Sequence, residues 1–273
     1  MRRIGYFFLY VSLILVALFQ VFPIIWLFLF SLKDNREIFA GNPFALPESI
    51  RWENYLSVWE AGIGQYFFNS VWITAVAILF TLLFGSMAVF VITRMKWKLS
   101  KLVLGLFMVG LMIPIHSSLI PLFSMFLNVN LINNPWSIVI TYTAYNLPIT
   151  MMILLGFYYT IPREIEEAAI IDGASLHRLF FRILLPITTP ILSTTAIINM
   201  IYNWNEFVFV NTFISSDRYK TLTVGIQNFV GQYMTDWGAI GATLIISVLP
   251  ILVAFLFFSN KIVEGISSSA VKG

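Results

Sequence analysis

Long unbroken runs of apolar residues dominate this sequence, and polar positions gather in the gaps between them. Six runs stand out, at about 6–32, 67–92, 102–127, 136–159, 187–212 and 237–259. A helix crosses the hydrocarbon core of a bilayer with roughly 20 apolar residues, so each run predicts one transmembrane helix. Open strands would leave amides unpaired in lipid, and the alternation of a barrel strand is absent from these runs. The predicted fold class is therefore an all-α integral membrane protein, with six spans in a single domain over 1–273. Arg2 and Arg3 precede the first run as they would a cleaved signal. That run is too long for a signal core and lacks a small-residue cleavage site, so it reads as a retained span.

Composition sharpens this picture. The 273 residues are 59% hydrophobic and 11% charged, where a soluble domain carries about a quarter charged residues. Mean hydropathy is +0.87. A net charge of +3 is too small to argue for nucleic acid, and the absence of Cys excludes disulfides and thiolate chemistry. His116 and His177, far apart in sequence, do not suggest a metal site. Basic residues matter by position. With the N-terminus inside, the inner set is Arg2, Arg3, Arg94, Lys96, Lys98, Lys101, Arg163, Arg178, Arg182, Lys261 and Lys272, against Lys33, Arg36, Arg51, Arg218 and Lys220 outside. The excess predicts both termini in the cytoplasm. The outer loop near 33–66 holds Pro43, Pro47, Trp52, Tyr55, Trp59 and Tyr66. Its aromatic residues read as a short helix on the outer face rather than a sugar-binding surface.

The inner loop 160–186 differs from the rest. Arg163, Glu164, Glu166, Glu167, Asp172, His177, Arg178 and Arg182 crowd into it. Pro162 opens a helix whose first turn is acidic, Gly173 suits the left-handed turn that ends it, and a second short helix covers 176–183. Pro186 marks the return to the membrane. Two helices at such a turn make a knob that another protein can grip through small Ala side chains, with charges setting the register. An amphipathic connector lying on the headgroups fits the same residues.

Glu167-Ala168-Ala169, then Gly173, Ile183 and Leu185-Pro186 at this spacing, resemble the EAA motif of permease subunits of ABC importers that use an extracellular binding protein. Pro23 and Trp26, Ser31-Leu32-Lys33, Trp204-Asn205-Glu206-Phe207, Thr221-Leu222-Thr223-Val224-Gly225, and Gly265 with Ala270-Val271-Lys272-Gly273 are similar to the maltose-type carbohydrate branch. The serines at 267–269 depart from it. The resemblance implies the type I importer fold, with a cytoplasmic coupling helix seated on an ATPase through Glu167, Ala168, Ala169, Asp172, Gly173 and Ala174. It implies a second permease subunit as a heterodimer partner, two cytoplasmic ATPase subunits and an extracellular solute-binding protein. The implied substrate is a carbohydrate, an oligosaccharide or a glycerol phosphate compound, and the implied location is the cytoplasmic membrane of a bacterium or archaeon, among its lipids. The chain has no phosphate-binding G-x-x-x-x-G-K-S/T loop, so it is read as a non-enzyme that binds no cofactor. ATP and Mg belong to the ATPase.

Polar residues inside spans are costly and usually face a cavity or a partner. Thr195, Asn199, Asn203 and Glu206 share one helical face, with Asn205 beside them. Thr143, Asn146 and Thr150 form a second row near Pro148. These rows read as a sugar path, with Asn146, Asn199, Asn203, Asn205 and Glu206 as its candidates, or as hydrogen-bonded glue between helices. Pro114, His116, Ser117, Ser118 and Pro121 predict a kinked or broken third span, where His116 relays protons or bonds a neighbouring span. An ion-coupled carrier acting alone is the alternative function. An intramembrane enzyme would need a nucleophile and base that only His116 with Ser117 and Ser118 hints at.

Overall fold

The structure, a computed structural model, describes residues 2–42, 44–95, 97–230 and 235–270, with side chains from 5 to 257. Pro43, Lys96, Val271, Lys272 and Gly273 lie outside the described residues, as do the side chains of Arg2, Arg3, Lys261, Gly265 and 267–270. Helices follow one another without a strand among the described residues: α1 (Arg2–Ser31), α2 (Asn35–Ala40), α3 (Glu53–Glu60), α4 (Ile63–Arg94), α5 (Ser100–Gly110), α6 (Leu119–Asn128), α7 (Pro135–Tyr158), α8 (Glu164–Ile171), α9 (Leu176–Leu179), α10 (Leu185–Ile187), α11 (Thr189–Asn205), α12 (Val208–Phe213), α13 (Leu222–Gly225) and α14 (Trp237–Ala270). Four are long and apolar enough to cross a membrane: Gly5–Ser31, Ile63–Arg94, Pro135–Tyr158 and Trp237–Phe257. Two bent pairs raise the number to as many as six. Ser100–Gly110 meets Ile115–Asn128 at 97°, and Leu176–Ile187 meets Thr189–Asn205 at 73°.

The first bend falls where prolines predict a break. Pro114 cannot donate the amide a helix needs there, and a tight 3₁₀ turn over Ile115–Ser118 carries the chain into α6. The second differs from the sequence reading. The helix that opens at Ser175, whose hydroxyl accepts from the Arg178 amide at 3.3 Å, does not stop near 183. It widens into a π-turn over Phe180–Leu184 and passes Pro186 before bending at Thr188. The wider turn accommodates the proline that an ordinary helical turn would reject. The run 187–212 is likewise not one helix. Glu206 leaves helical geometry at φ −70°, ψ 133°, and a short α12 follows.

The chain forms two compact units. Residues 1–67 and 225–250 make the first. Here the Asn54 amide of α3 donates to the carbonyls of Ser31 and Lys33 at 2.8 and 2.9 Å, and the Tyr55 hydroxyl meets Ser31 Oγ at 2.7 Å. Asn35 donates to the Thr235 carbonyl and accepts from the Trp237 amide, both at 2.9 Å. These bonds satisfy the carbonyls that end α1 and the amides that begin α14. Trp52 and Trp59, on the short helix expected there, stay exposed.

Residues 68–224 and 251–273 make the second unit, which holds two buried apolar cores. One gathers Ile73, Phe126, Ile138, Tyr142, Phe209 and Phe213. The other gathers Phe90, Met151, Leu154, Tyr158, Leu179 and Phe180. Both include residues of α4 and α7. Between them α4 and α7 approach closely: a Cβ at Gly85 would lie 2.8 Å from Thr150 Cγ2. Buried hydroxyls on these helices bond back to the carbonyl four residues earlier, as Thr81 does to Ala77 and Thr141 to Ser137, each at 2.7 Å. Gly85→Val therefore forces α4 off α7, and overpacking of this kind costs about 1–3 kcal/mol. A lowered thermal midpoint of the detergent-solubilised protein is the expected reading.

Candidate functional site

Two features of the second unit stand out, a polar-walled cavity and the knob at 160–187. The cavity, about 640 Å³, opens between the broken third segment, α7, and the region where α11 gives way to α12. The neighbouring walls are held by side-chain pairs that link α7 to α11. The Tyr142 hydroxyl donates to Glu206 Oε2 at 3.1 Å, the Asn146 amide to Asn203 Oδ1 at 2.7 Å, and the Asn199 amide to Thr150 Oγ1 at 3.0 Å. Residues 142, 146 and 150 step by four along α7, while 206, 203 and 199 step back along the other strand of the pairing. The helices thus run antiparallel, with rungs matched by helical repeat. Polar groups that lipid would strand are spent on each other.

The sequence candidates separate accordingly. Asn203, Asn205, Glu206 and Asn146 line the cavity; Asn199 is fully buried on Thr150 and is not among the lining residues. Asn205 is exposed and its amide donates to the Ile201 carbonyl at 2.8 Å. Glu206 is committed locally. Its carboxylate accepts from the Phe209 amide at 2.8 Å and the Val210 amide at 3.4 Å, besides Tyr142. These are amides that the start of α12 would otherwise leave unpaired, so Glu206 builds the break that shapes the cavity. Asn203 Nδ2 and Asn199 Oδ1 are buried without a hydrogen-bond partner. His116 lines the cavity and stacks on Phe209, ring centroids 5.5 Å apart. The Tyr145 hydroxyl donates to the Ile115 carbonyl at 2.7 Å and contacts Ser118, pinning the broken segment to α7.

The knob begins where α7 ends. In α8 Glu166 and Ala169, three residues apart, turn inward and are buried, while Glu167, Ala168, Ile170 and Ile171 are exposed. Asp172 ends the helix and Gly173 follows at φ +77°, the left-handed region where side chains are strained. The Gly173 amide donates to Ile170 O at 3.0 Å and the Ala174 amide to Ala169 O at 2.9 Å, the Schellman arrangement that caps a helix and reverses the chain. Asp172 and Gly173 are exposed, whereas Ala169 belongs to the apolar core and Ala174 packs against it. Of the six loop candidates, four therefore face outward and two fasten the knob to the bundle.

Sequence reading missed two things here. Ile170, Ile171 and Leu176 are exposed at 57%, 85% and 56%, an apolar tip on a segment otherwise rich in charge; that contrast was the available signal. The other is an ion pair. Arg94, at the end of α4, places Nε 2.8 Å from Glu166 Oε1, with both side chains largely buried. Its Nη2 donates to Tyr158 O at 2.9 Å and Ile161 O at 3.1 Å. Burial pushes the Glu166 carboxyl above the usual carboxylate range, and the Arg94 and Arg163 charges pull it back. Nothing in the run of residues 94–98 distinguishes Arg94 from its basic neighbours.

Comparison with known proteins adds the following. Residues 81–265 match the family described as binding-protein-dependent transport system inner membrane component. The chain is 36% identical over 266 residues to a probable ABC transporter permease protein, YurM, of Bacillus subtilis, covering 97% of this chain and 87% of that one. It is 33% identical to the diacetylchitobiose uptake system permease protein NgcG of Streptomyces coelicolor, over 95% of this chain and 87% of that one. Among solved structures it resembles a chain of a bacterial ABC transporter involved in import of the acidic polysaccharide alginate. The TM-score is 0.79 at 19% identity, covering 94% of this chain and 96% of that one, so the two share a fold. The rungs make a prediction. Asn199→Leu strips Thr150 of its partner and costs about 1–2 kcal/mol, read as a lower thermal midpoint. Asn199→Leu with Thr150→Val costs less than the sum of the single changes, because no polar group is left stranded.

Proposed function

We propose a role for this chain on the premise that it belongs to the binding-protein-dependent transport system inner membrane component family. It is a transmembrane permease subunit of an ABC importer that moves a carbohydrate across the membrane. ATP is hydrolysed on a separate subunit, and this chain supplies the path and the handle. The observation that carries the reading is the capped hairpin at 164–187, whose buried face is fastened to the bundle while Ile170, Ile171 and Leu176 are held outward. An exposed apolar tip ringed by Glu167, Asp172 and Arg178 has the chemistry of a docking surface, apolar at its centre and charged at its rim.

The partners follow from that surface and from the family. Two cytoplasmic ATPase subunits seat the hairpins of this chain and of a second permease subunit, and an extracellular binding protein delivers the sugar. ATP and Mg act on the ATPase alone. The excess of Lys and Arg in the loops on the hairpin's side puts it, and both termini, in the cytoplasm. Closure of the ATPase pair moves the hairpin, and the spans rock between inward-open and outward-open states. The cavity is this chain's share of the path. Its amides and tyrosine hydroxyls suit sugar hydroxyls, and its aromatic faces suit pyranose rings. No Lys or Arg is among its described lining residues, while Glu206 is. An uncharged sugar is therefore preferred to a sugar acid or phosphate, which would face a carboxylate without a cation to offset it. Glu206 is already bonded to three donors, which speaks against its serving as the exchanging proton site of an ion-coupled carrier.

The chain has no native cysteine, so Ile171→Cys introduces a unique label site. A membrane-impermeant maleimide should modify it in inverted vesicles and not in intact cells, and co-expression of the ATPase should protect it. Labelling from outside ends the reading. Gly173→Val forces a β-branched residue into left-handed backbone and should lower ATP-driven uptake by about tenfold or more, while the spans still insert.

A further inference from the structure

We propose that Arg94 is the positioning residue that turns motion of the hairpin into motion of the sugar path. This rests on the reading of the hairpin as the ATPase handle and adds to it a specific transmission point. Arg94 is the last residue of α4 and ties three elements together. Its Nε faces Glu166 on α8 at 2.8 Å; its Nη2 holds the carbonyls of Tyr158, which ends α7, and Ile161, in the link between α7 and α8. The guanidinium also lies 5.9 Å from the centre of the Tyr158 ring. The planar fork of Arg suits this task, because fixed donors leave in different directions from one rigid group.

Burial gives the contact its stiffness. The side chains of Arg94 and Glu166 are 7% and 12% exposed. A surface ion pair between long side chains is loose and worth little. A buried one cannot open without leaving two charges unpaired, so it stays shut while its neighbours move. Beneath it the apolar contacts of Ala169, Leu179 and Phe180 with Phe90, Leu154 and Tyr158 fill the same junction. The hairpin therefore moves α4 and α7 with it rather than pivoting on a slack link.

From Tyr158 the route to the cavity is continuous. The helix that ends at Tyr158 carries Thr150, Asn146 and Tyr142, which bond Asn199, Asn203 and Glu206 respectively. Asn146, Tyr142, Asn203 and Glu206 line the cavity. A displacement of α7 reaches the sugar path through those rungs. None of these residues touches the exposed tip of the hairpin, so losing Arg94 leaves docking intact and breaks transmission.

The test uses the full complex, with both permease subunits, ATPase and binding protein, in proteoliposomes. The quantity read is sugar taken up per ATP hydrolysed. In Arg94→Met with Glu166→Gln both charges go together, which avoids stranding one of them. This pair should assemble and hydrolyse ATP, with uptake per ATP about tenfold lower, within the range of ordinary coupling effects. Arg94→Lys keeps the charge and should hold the ratio to within about threefold of the native complex. A merely structural contact would lower the yield or thermal midpoint and leave the ratio alone. An unchanged ratio in the neutral pair overturns the proposal. If that pair fails to assemble, Glu166→Gln alone, which keeps shape and an acceptor, decides by the same ratio. Failure of the underlying reading looks different: the native complex would show no ATP-driven uptake at all.

Discussion

Polar side chains buried between apolar helices must find one another, and in this chain that requirement sets the register of α7 against α11. The rungs Tyr142–Glu206, Asn146–Asn203 and Thr150–Asn199 match only in one alignment of the two helices. Sliding one helix by a turn would leave amides and a carboxylate without partners in a medium that offers no water, at several kcal/mol for each group. The apolar cores on either side are less selective, because Leu, Ile and Phe pack against several neighbours with similar gain. Specificity along α7 thus comes from a few hydrogen bonds and bulk stabilisation from the cores.

The same register explains the irregularities nearby. Thr150 reaches Asn199 on one side, and on the other Gly85 lets α4 come within contact of its methyl. Glu206 serves the last rung and the first amides of α12 at once, so the run of apolar residues from 187 to 212 cannot stay a single helix. The broken third segment is fastened to α7 through Tyr145. A cavity results where helices would otherwise close, and its wall is polar because the groups that build it are the ones that join the helices.

The hairpin obeys a different constraint. Outside the apolar spans, its backbone is held by a Schellman cap at Gly173 and a serine cap at Ser175, both of which satisfy helix ends without lipid or partner. Its underside is anchored by Ala169 and by the Arg94–Glu166 pair, and its tip is left apolar and exposed. A preformed, rigid projection loses little conformational entropy when it docks. That suits an element which must transmit force in a transport cycle.

Hydropathy alone determined the helical class and the approximate positions of the spans, because a bilayer allows few alternatives to a helix of about 20 apolar residues. It also marked the break near Pro114, since a missing amide is a property of the residue itself. Loop spacing around Gly173 made the hairpin legible, as capping is local chemistry read within a few residues. Which polar residue meets which was decided only by tertiary structure. Periodicity put Thr195, Asn199, Asn203 and Glu206 on one face without saying whether that face met water, sugar or another helix; the packing of α7 separated Asn199, fully buried, from Asn203 at the cavity wall. Arg94 and Glu166 lie 72 positions apart, and no local rule joins residues that only folding brings to 2.8 Å.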